Sequence, residues 1–259
     1  MVVPLVALKA DMQRQLEKKG IDTHVWSGRG GNRAASIVLV TPESAVTKGF
    51  GEFVNRLRGW QQLDRIVVDE CYTVLDSTEE FRPKMRELGQ VLGEAGAQVV
   101  FLTATLGPAD EEGFCRTMGI RRKEAVVFHS ATSRRNVRYQ VVKAAKGGGG
   151  LEDRVVSEAR RIEKASTSGN VVVYCRRVEQ AKELAKRLGC PVFFSKVDKT
   201  EGKAQRLKDW IETGRLMMAT NAIGVGLDVP DVRGVLHAGT PRRLRDYVQE
   251  SSKGSVTGR

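Results

Sequence analysis

"IVVDECYTVLDSTEEFRP", Ile66–Pro83, opens on three β-branched apolar residues and breaks off at two adjacent carboxylates, Asp69 and Glu70. A short apolar run bounded in this way reads as a strand covered on both faces, the kind found in parallel sheets. In an open parallel sheet, ligands bind beyond the carboxyl ends of the strands, so acids placed there face a crevice rather than the core.

The flanking sequence repeats the pattern. Strands are expected at "SIVLVT", "RIVVDE" and "QVVFLTAT". Helical periodicity is expected in "ADMQRQLEKKG", "FGEFVNRLRGW" and "FRPKMRELGQVLGEAG". Gly147–Gly150 interrupts this alternation, and four glycines in a row suit a flexible loop near a domain boundary. Alternation then resumes with helix "EDRVVSEARRIEKA", strand "NVVVYC", helix "RVEQAKELAKRLG", strand "PVFFS", helix "KAQRLKDWIETG", and strands "RLMMAT" and "VRGVLHAG". The expected fold is α/β, with two consecutive lobes, each a mainly parallel sheet with helices on both faces. The lobes are assigned to 1–140 and 153–259, with 141–152 as the Gly-rich loop between them.

Composition narrows the function classes. The chain has 259 residues, and its 43 Lys and Arg against 31 Asp and Glu give a formal charge of +12. That excess fits a polyanionic partner, nucleic acid first, or simply a soluble basic surface. Cys71, Cys115, Cys175 and Cys190 stand far apart, so neither zinc nor a disulfide framework is expected, and a reducing compartment fits. No apolar run approaches the roughly 18 residues of a membrane span, and the start lacks signal-peptide features. The expected setting is soluble and intracellular, with no membrane partner.

Asp69 and Glu70 suit a phosphate-bound Mg²⁺, held by the Asp through its waters, with the Glu polarising an attacking water. A solvated turn at a strand end is the alternative for an isolated pair. Thr41, Pro42 and Glu43 follow "SIVLV", where hydroxyl and backbone N–H groups could grip a phosphate; Thr41 before Pro42 is equally good helix-capping chemistry. Thr103, Ala104 and Thr105 end another strand. Thr220 and Asn221 end "RLMMAT", and Gly224 and Gly226 then make a turn that lets backbone approach phosphate closely.

Taken together, "VVDECY", "FRPKMRELG" and "VVFLTAT" resemble the motif II, aromatic-loop and motif III succession of superfamily-2 helicases, in particular the RecQ family of DNA helicases. "VVPLVALKADMQRQL" is similar to motif Ia, "VTPES" to motif Ib and "SRRNVRY" to the interlobe segment. "VVVYCRRVEQAKELAKRL" is similar to motif IV, and "MATNAIGVGLDVPDVRGVLHAG" to motif V. The resemblance implies two RecA-like lobes, an ATP-dependent 3′–5′ DNA helicase, and ATP and Mg²⁺ as cofactors. Single-stranded or partly duplex DNA is the implied partner, with nuclear location in a eukaryote. It implies catalysis at Asp69 and Glu70, with Asp69 as the metal residue, and coupling at Thr103–Thr105. It implies nucleotide contacts at Gly226, Asp228, Gln249 and Lys253. Nucleic-acid contacts are implied at Lys9, Thr41, Pro42, Glu43, Phe81, Arg82 and Thr220.

Several positions depart from the family. No G-x-x-x-x-G-K-[ST] phosphate loop occurs; the one Gly-Lys pair, Gly202-Lys203, precedes Ala204, and "SGRGGNR" reads as a loop. In the family that motif precedes the segment beginning at Val2, so the first lobe is expected to be incomplete. In "DYVQESSKGSVTGR", Lys253 and Val256 stand where the family has arginines, and valine cannot stabilise transition-state charge. Cys71-Tyr72, Ser77 and Glu79 alter the aromatic loop. Zinc-binding and winged-helix modules beyond motif VI are not expected. The resulting expectation is a helicase core impaired in ATP binding and hydrolysis, with a non-catalytic nucleic-acid-binding remnant as the alternative.

Overall fold

The computed structural model describes residues 1–4, 6–30, 32–75, 83–130, 136–144, 150–166, 169–194, 200–213, 215–220 and 231–252. Within these, the side chains at 6–7, 74, 83–86, 200–201, 203–204 and 245 are not described. The chain divides into two compact units, Met1–Ser130 and Ala131–Arg259. The Gly-rich stretch 141–152 falls within the second.

In the first unit, α1 (Val6–Lys18) leads to the parallel pair β1 (Thr23–Val25) and β2 (Ile37–Leu39). After α2 (Pro42–Ala45) and α3 (Lys48–Gly59), a second parallel pair forms from β3 (Arg65–Val68) and β4 (Gln98–Phe101), with α4 (Pro83–Glu94) between them. The residue joining the two ribbons is Val2, which makes parallel bridges to both Val40 and Val68. Its N–H donates to Val67 O at 2.7 Å, and its carbonyl accepts from Asp69 N at 3.0 Å. Val3 N donates to Val40 O on the other side. Met1–Val3 thus completes a parallel sheet whose carboxyl edge runs past Thr41, Asp69 and Leu102.

One core serves this unit. Phe50, Phe53, Val54 and Leu57 of α3 pack with Leu88 and Leu92 of α4 and with Phe114 of α5 (Glu111–Thr117), over Val2, Val40, Ile66 and Val68. The i, i+3, i+4, i+7 spacing in α3 places its apolar face inward. Thr47 caps that helix by accepting from Phe50 N.

The second unit starts with α6 (Leu151–Ala165) and has a four-stranded parallel sheet in the order β6-β7-β5-β8. Its strands are β5 (Asn170–Cys175), β6 (Val192–Phe193), β7 (Leu216–Ala219) and β8 (Val232–Ala238). Every residue of β5 and β7 is buried, which is why both read as unbroken apolar runs. Alternate side chains go to opposite faces. Val171, Val173, Leu216 and Met218 meet α6 and α7 (Val178–Leu188); Val172, Tyr174, Met217 and Ala219 meet Trp210 of α8 (Thr200–Thr213). Helices on both faces of a parallel sheet are what the alternation predicted. α9 (Leu244–Ser251) closes the described part. β1, α5 and α9 went unassigned in the sequence, the first because three residues with a polar centre carry no strand signal.

Candidate nucleotide and nucleic-acid site

In the first unit, the expected residues gather on the carboxyl edge of the sheet. β3 stops at Val68 because the chain turns at Glu70, whose φ of 46° and ψ of 43° are left-handed. A non-glycine residue held there costs on the order of 1–3 kcal/mol, and such strain concentrates at functional sites. The turn is tightly held. Asp69 Oδ1 accepts from Glu70 N at 2.9 Å, Thr73 Oγ1 donates to Glu70 O at 2.9 Å, and Cys71 N donates to Leu102 O at 3.0 Å. Both carboxylates are half-buried. The Cys71 thiol lies inside, and burial, reinforced by Glu70, pushes its pKa to about 12, so it is neutral filler rather than a nucleophile.

Thr41 lies at the end of β2, its hydroxyl 3.3 Å from Ser44 Oγ and making no cap bond to the helix backbone. Pro42 is buried and Glu43 exposed. Lys9 sits near the start of α1 and is half-buried. Beyond β4, Thr103 and Ala104 are exposed, Thr105 N donates to Thr103 Oγ1 at 3.2 Å, and the Thr105 hydroxyl is buried without a partner among the described residues. Phe81, Arg82, Gly226, Asp228 and Lys253 lie outside the described residues.

The second unit has its own carboxyl-edge cavity, of about 310 Å³. Thr220, 8% exposed at the end of β7, lines it, as do Tyr174 and Cys175 of β5 and His237 and Ala238 of β8. Arg176, Arg177 and Arg242 stand around it, with Arg242 Nη2 donating to Arg176 O at 2.8 Å. α9 contributes Asp246 and Glu250; Gln249, half-buried on the same helix, is not among the lining residues. Beneath, His237 Nδ1 lies 3.2 Å from Glu250 Oε2, and the Tyr174 ring stacks on His237 with centroids 5.6 Å apart. The arginines, His237 and Glu250 were missed in the sequence. One signal was there: "YCRR" and "GTPRR" each place an arginine pair just past a strand.

Among the described residues, no group of three or more His, Cys, Asp and Glu side chains is placed to hold a metal. No helix among them is long and apolar enough to cross a membrane.

Two family models match in tandem, the DEAD/DEAH box helicase over 1–113 and the helicase conserved C-terminal domain over 154–254. Several of the matched relatives are DNA helicases named Q1, Q5 or RecQ, and one is a putative ATP-dependent RNA helicase of Acanthamoeba polyphaga mimivirus. They include the putative ATP-dependent DNA helicase Q1 of Caenorhabditis briggsae, 27% identical over 99% of this chain and 44% of its own length. ATP-dependent DNA helicase Q5 of Mus musculus is 29% identical over 86% of this chain and 24% of its own. The two matches together span most of the chain, which resembles a superfamily-2 helicase core of RecQ type. ATP-dependent DNA helicase RecQ of Bacillus subtilis, 24% identical over 99% of the chain, agrees. The core spans less than half the length of these relatives.

Solved structures match the fold of this chain. Dbp5 of S. cerevisiae, bound to RNA and ADP BeF3, has a TM-score of 0.69 at 15% identity, covering 100% of this chain and 68% of that one. Mycobacterium smegmatis helicase Lhr, bound to ssDNA and AMP-PNP, has a TM-score of 0.61 at 19% identity, covering 98% and 37%.

Proposed function

We propose that this core belongs to an ATP-dependent DNA helicase that moves 3′–5′ on single-stranded or partly duplex DNA, in the nucleus where the host is a eukaryote. The carrying observation is the Asp69–Glu70 turn, strained and pinned at the carboxyl edge beside Thr41 and Thr103. ATP and Mg²⁺ are the cofactors its relatives' names and chemistry bring to that edge. One Asp69 oxygen is engaged by Glu70 N, and the other has no partner among the described residues, so the pair suits a hydrated Mg²⁺. When bound, the ion would neutralise phosphate charge. Glu70 would orient a water and take its proton. Thr41–Glu43, Lys9 and Thr220 would contact the DNA backbone, Thr103–Thr105 would couple the two events, and Gln249 would face the nucleotide.

Turnover by this chain alone is expected to be slow, because its 259 residues hold no G-x-x-x-x-G-K-[ST] and Val256 replaces an arginine. That same observation favours a second reading, a nucleic-acid-binding core without catalysis. ATP hydrolysis by the purified chain, with and without single-stranded DNA, separates them. Slow, DNA-stimulated turnover that falls at least about 100-fold in Glu70→Gln supports the first. Turnover unchanged by Glu70→Gln sinks the catalytic assignment, and DNA binding without turnover supports the second.

A further inference from the structure

The Asp69–Glu70 turn is pinned on both sides of Glu70. Asp69 N donates to Val2 O at 3.0 Å, Glu70 N to Asp69 Oδ1 at 2.9 Å and Cys71 N to Leu102 O at 3.0 Å. The Glu70 carbonyl accepts twice from one residue, from Thr73 N at 3.0 Å and from Thr73 Oγ1 at 2.9 Å. The first is the backbone bond of the short 3₁₀ helix Cys71–Val74, which any residue except proline would make. The second exists because residue 73 carries a hydroxyl. Thr73 is half-buried, so water competes with this bond only in part.

These bonds decide where the Glu70 carboxylate points. Glu70 is left-handed, with φ 46° and ψ 43°, a conformation that a residue with a Cβ keeps only where its surroundings impose it. Holding Glu70 N restrains φ and holding Glu70 O restrains ψ, and the two angles together set the direction of Cα–Cβ. A second donor on the carbonyl resists the peptide rotation through which ψ would relax. A general base must stand within hydrogen-bond reach of the water it deprotonates, and a misplacement of about 1 Å costs on the order of 100-fold in rate. We propose that Thr73 is a positioning residue for hydrolysis: its hydroxyl, acting through Glu70 O, keeps Glu70 left-handed and so fixes the line of its carboxylate at the carboxyl edge of the sheet. This rests on the reading of Glu70 as the base and adds to it a residue outside the acid pair.

Two substitutions separate the hydroxyl from the shape. Thr73→Val keeps the branched side chain and loses the donor; Thr73→Ser keeps the donor and loses the methyl. ATP turnover by the whole chain on single-stranded DNA is measured as kcat and KM, with Glu70→Gln alongside. In Thr73→Val, kcat should fall about three- to tenfold, the worth of one hydrogen bond, while KM for ATP and affinity for the strand stay as in the wild type. Thr73→Ser should match the wild type. Independently of turnover, amide exchange at Glu70 and Cys71 should quicken in Thr73→Val and not in Thr73→Ser. The reverse order, with Thr73→Ser impaired and Thr73→Val intact, would make Thr73 a packing residue and overturn the proposal. Turnover that Glu70→Gln abolishes and Thr73→Val leaves unchanged overturns it while sparing the reading of Glu70. No turnover in the wild type overturns both.

Discussion

The two units build the same kind of sheet by unequal means. In the second, β5 and β7 are buried end to end, and two separate cores clamp them from opposite faces. In the first, two short ribbons are held together through the three residues Met1–Val3, with Met1 and Val3 bonding the β2 side and Val2 the β3 side. A sheet that depends on one short segment responds to changes there, whereas one clamped on both faces responds to changes in packing. The acids that the helicase reading needs sit on the more delicate sheet, and Asp69 N is itself bonded to Val2 O.

Val2→Pro is therefore the most damaging single change expected. It removes the donor to Val67 O in mid-sheet and leaves that carbonyl without its 2.7 Å bond, a loss of roughly 3 kcal/mol or more. Hydrogen exchange should show β3 and β4 losing protection while β5 and β7 keep theirs. Equal loss in both units would break the contrast.

Met217→Ala tests the other side. Met217 is fully buried against Trp210, and truncating it should cost about 2–5 kcal/mol through lost contact and a residual cavity. The second unit's protection should fall and the first unit's stay. A cost below about 1 kcal/mol would mean that the clamped sheet repacks more freely than its burial implies.

What was legible in the sequence follows the same division. "NVVVYC" and "RLMMAT" announced β5 and β7 because strands covered on both faces have no polar alternation to confuse them. "IVV" followed by Asp69-Glu70 placed the acids at a strand end, but nothing local reports that Glu70 turns left-handed, since its strain is imposed by Cys71 N reaching Leu102 O. Val2 had the residue type of a strand and too short a run to be read as a central one. The His237–Glu250 pair spans a strand, a turn and a helix, so only the fold brings it together.

The smallest effect probes a helix rather than the sheet. Thr47 caps α3, and Thr47→Ala removes the side-chain acceptor of the Phe50 N–H and leaves it only the 3.1 Å bond to Thr47 O; Phe50 is a core residue 9% exposed that packs edge-on against Trp26 with ring centroids 5.2 Å apart. Loss of such a cap costs about 1 kcal/mol. Trp26 immediately follows β1 and its backbone N–H bonds Leu39 O, so α3 reaches the β1–β2 ribbon through Trp26, while it meets β3 through the shared core. Exchange should therefore quicken in α3 and β2 before β3. If β3 and β4 quicken equally, the shared core transmits the loss across the sheet, and the first unit is one cooperative body despite its single stitch.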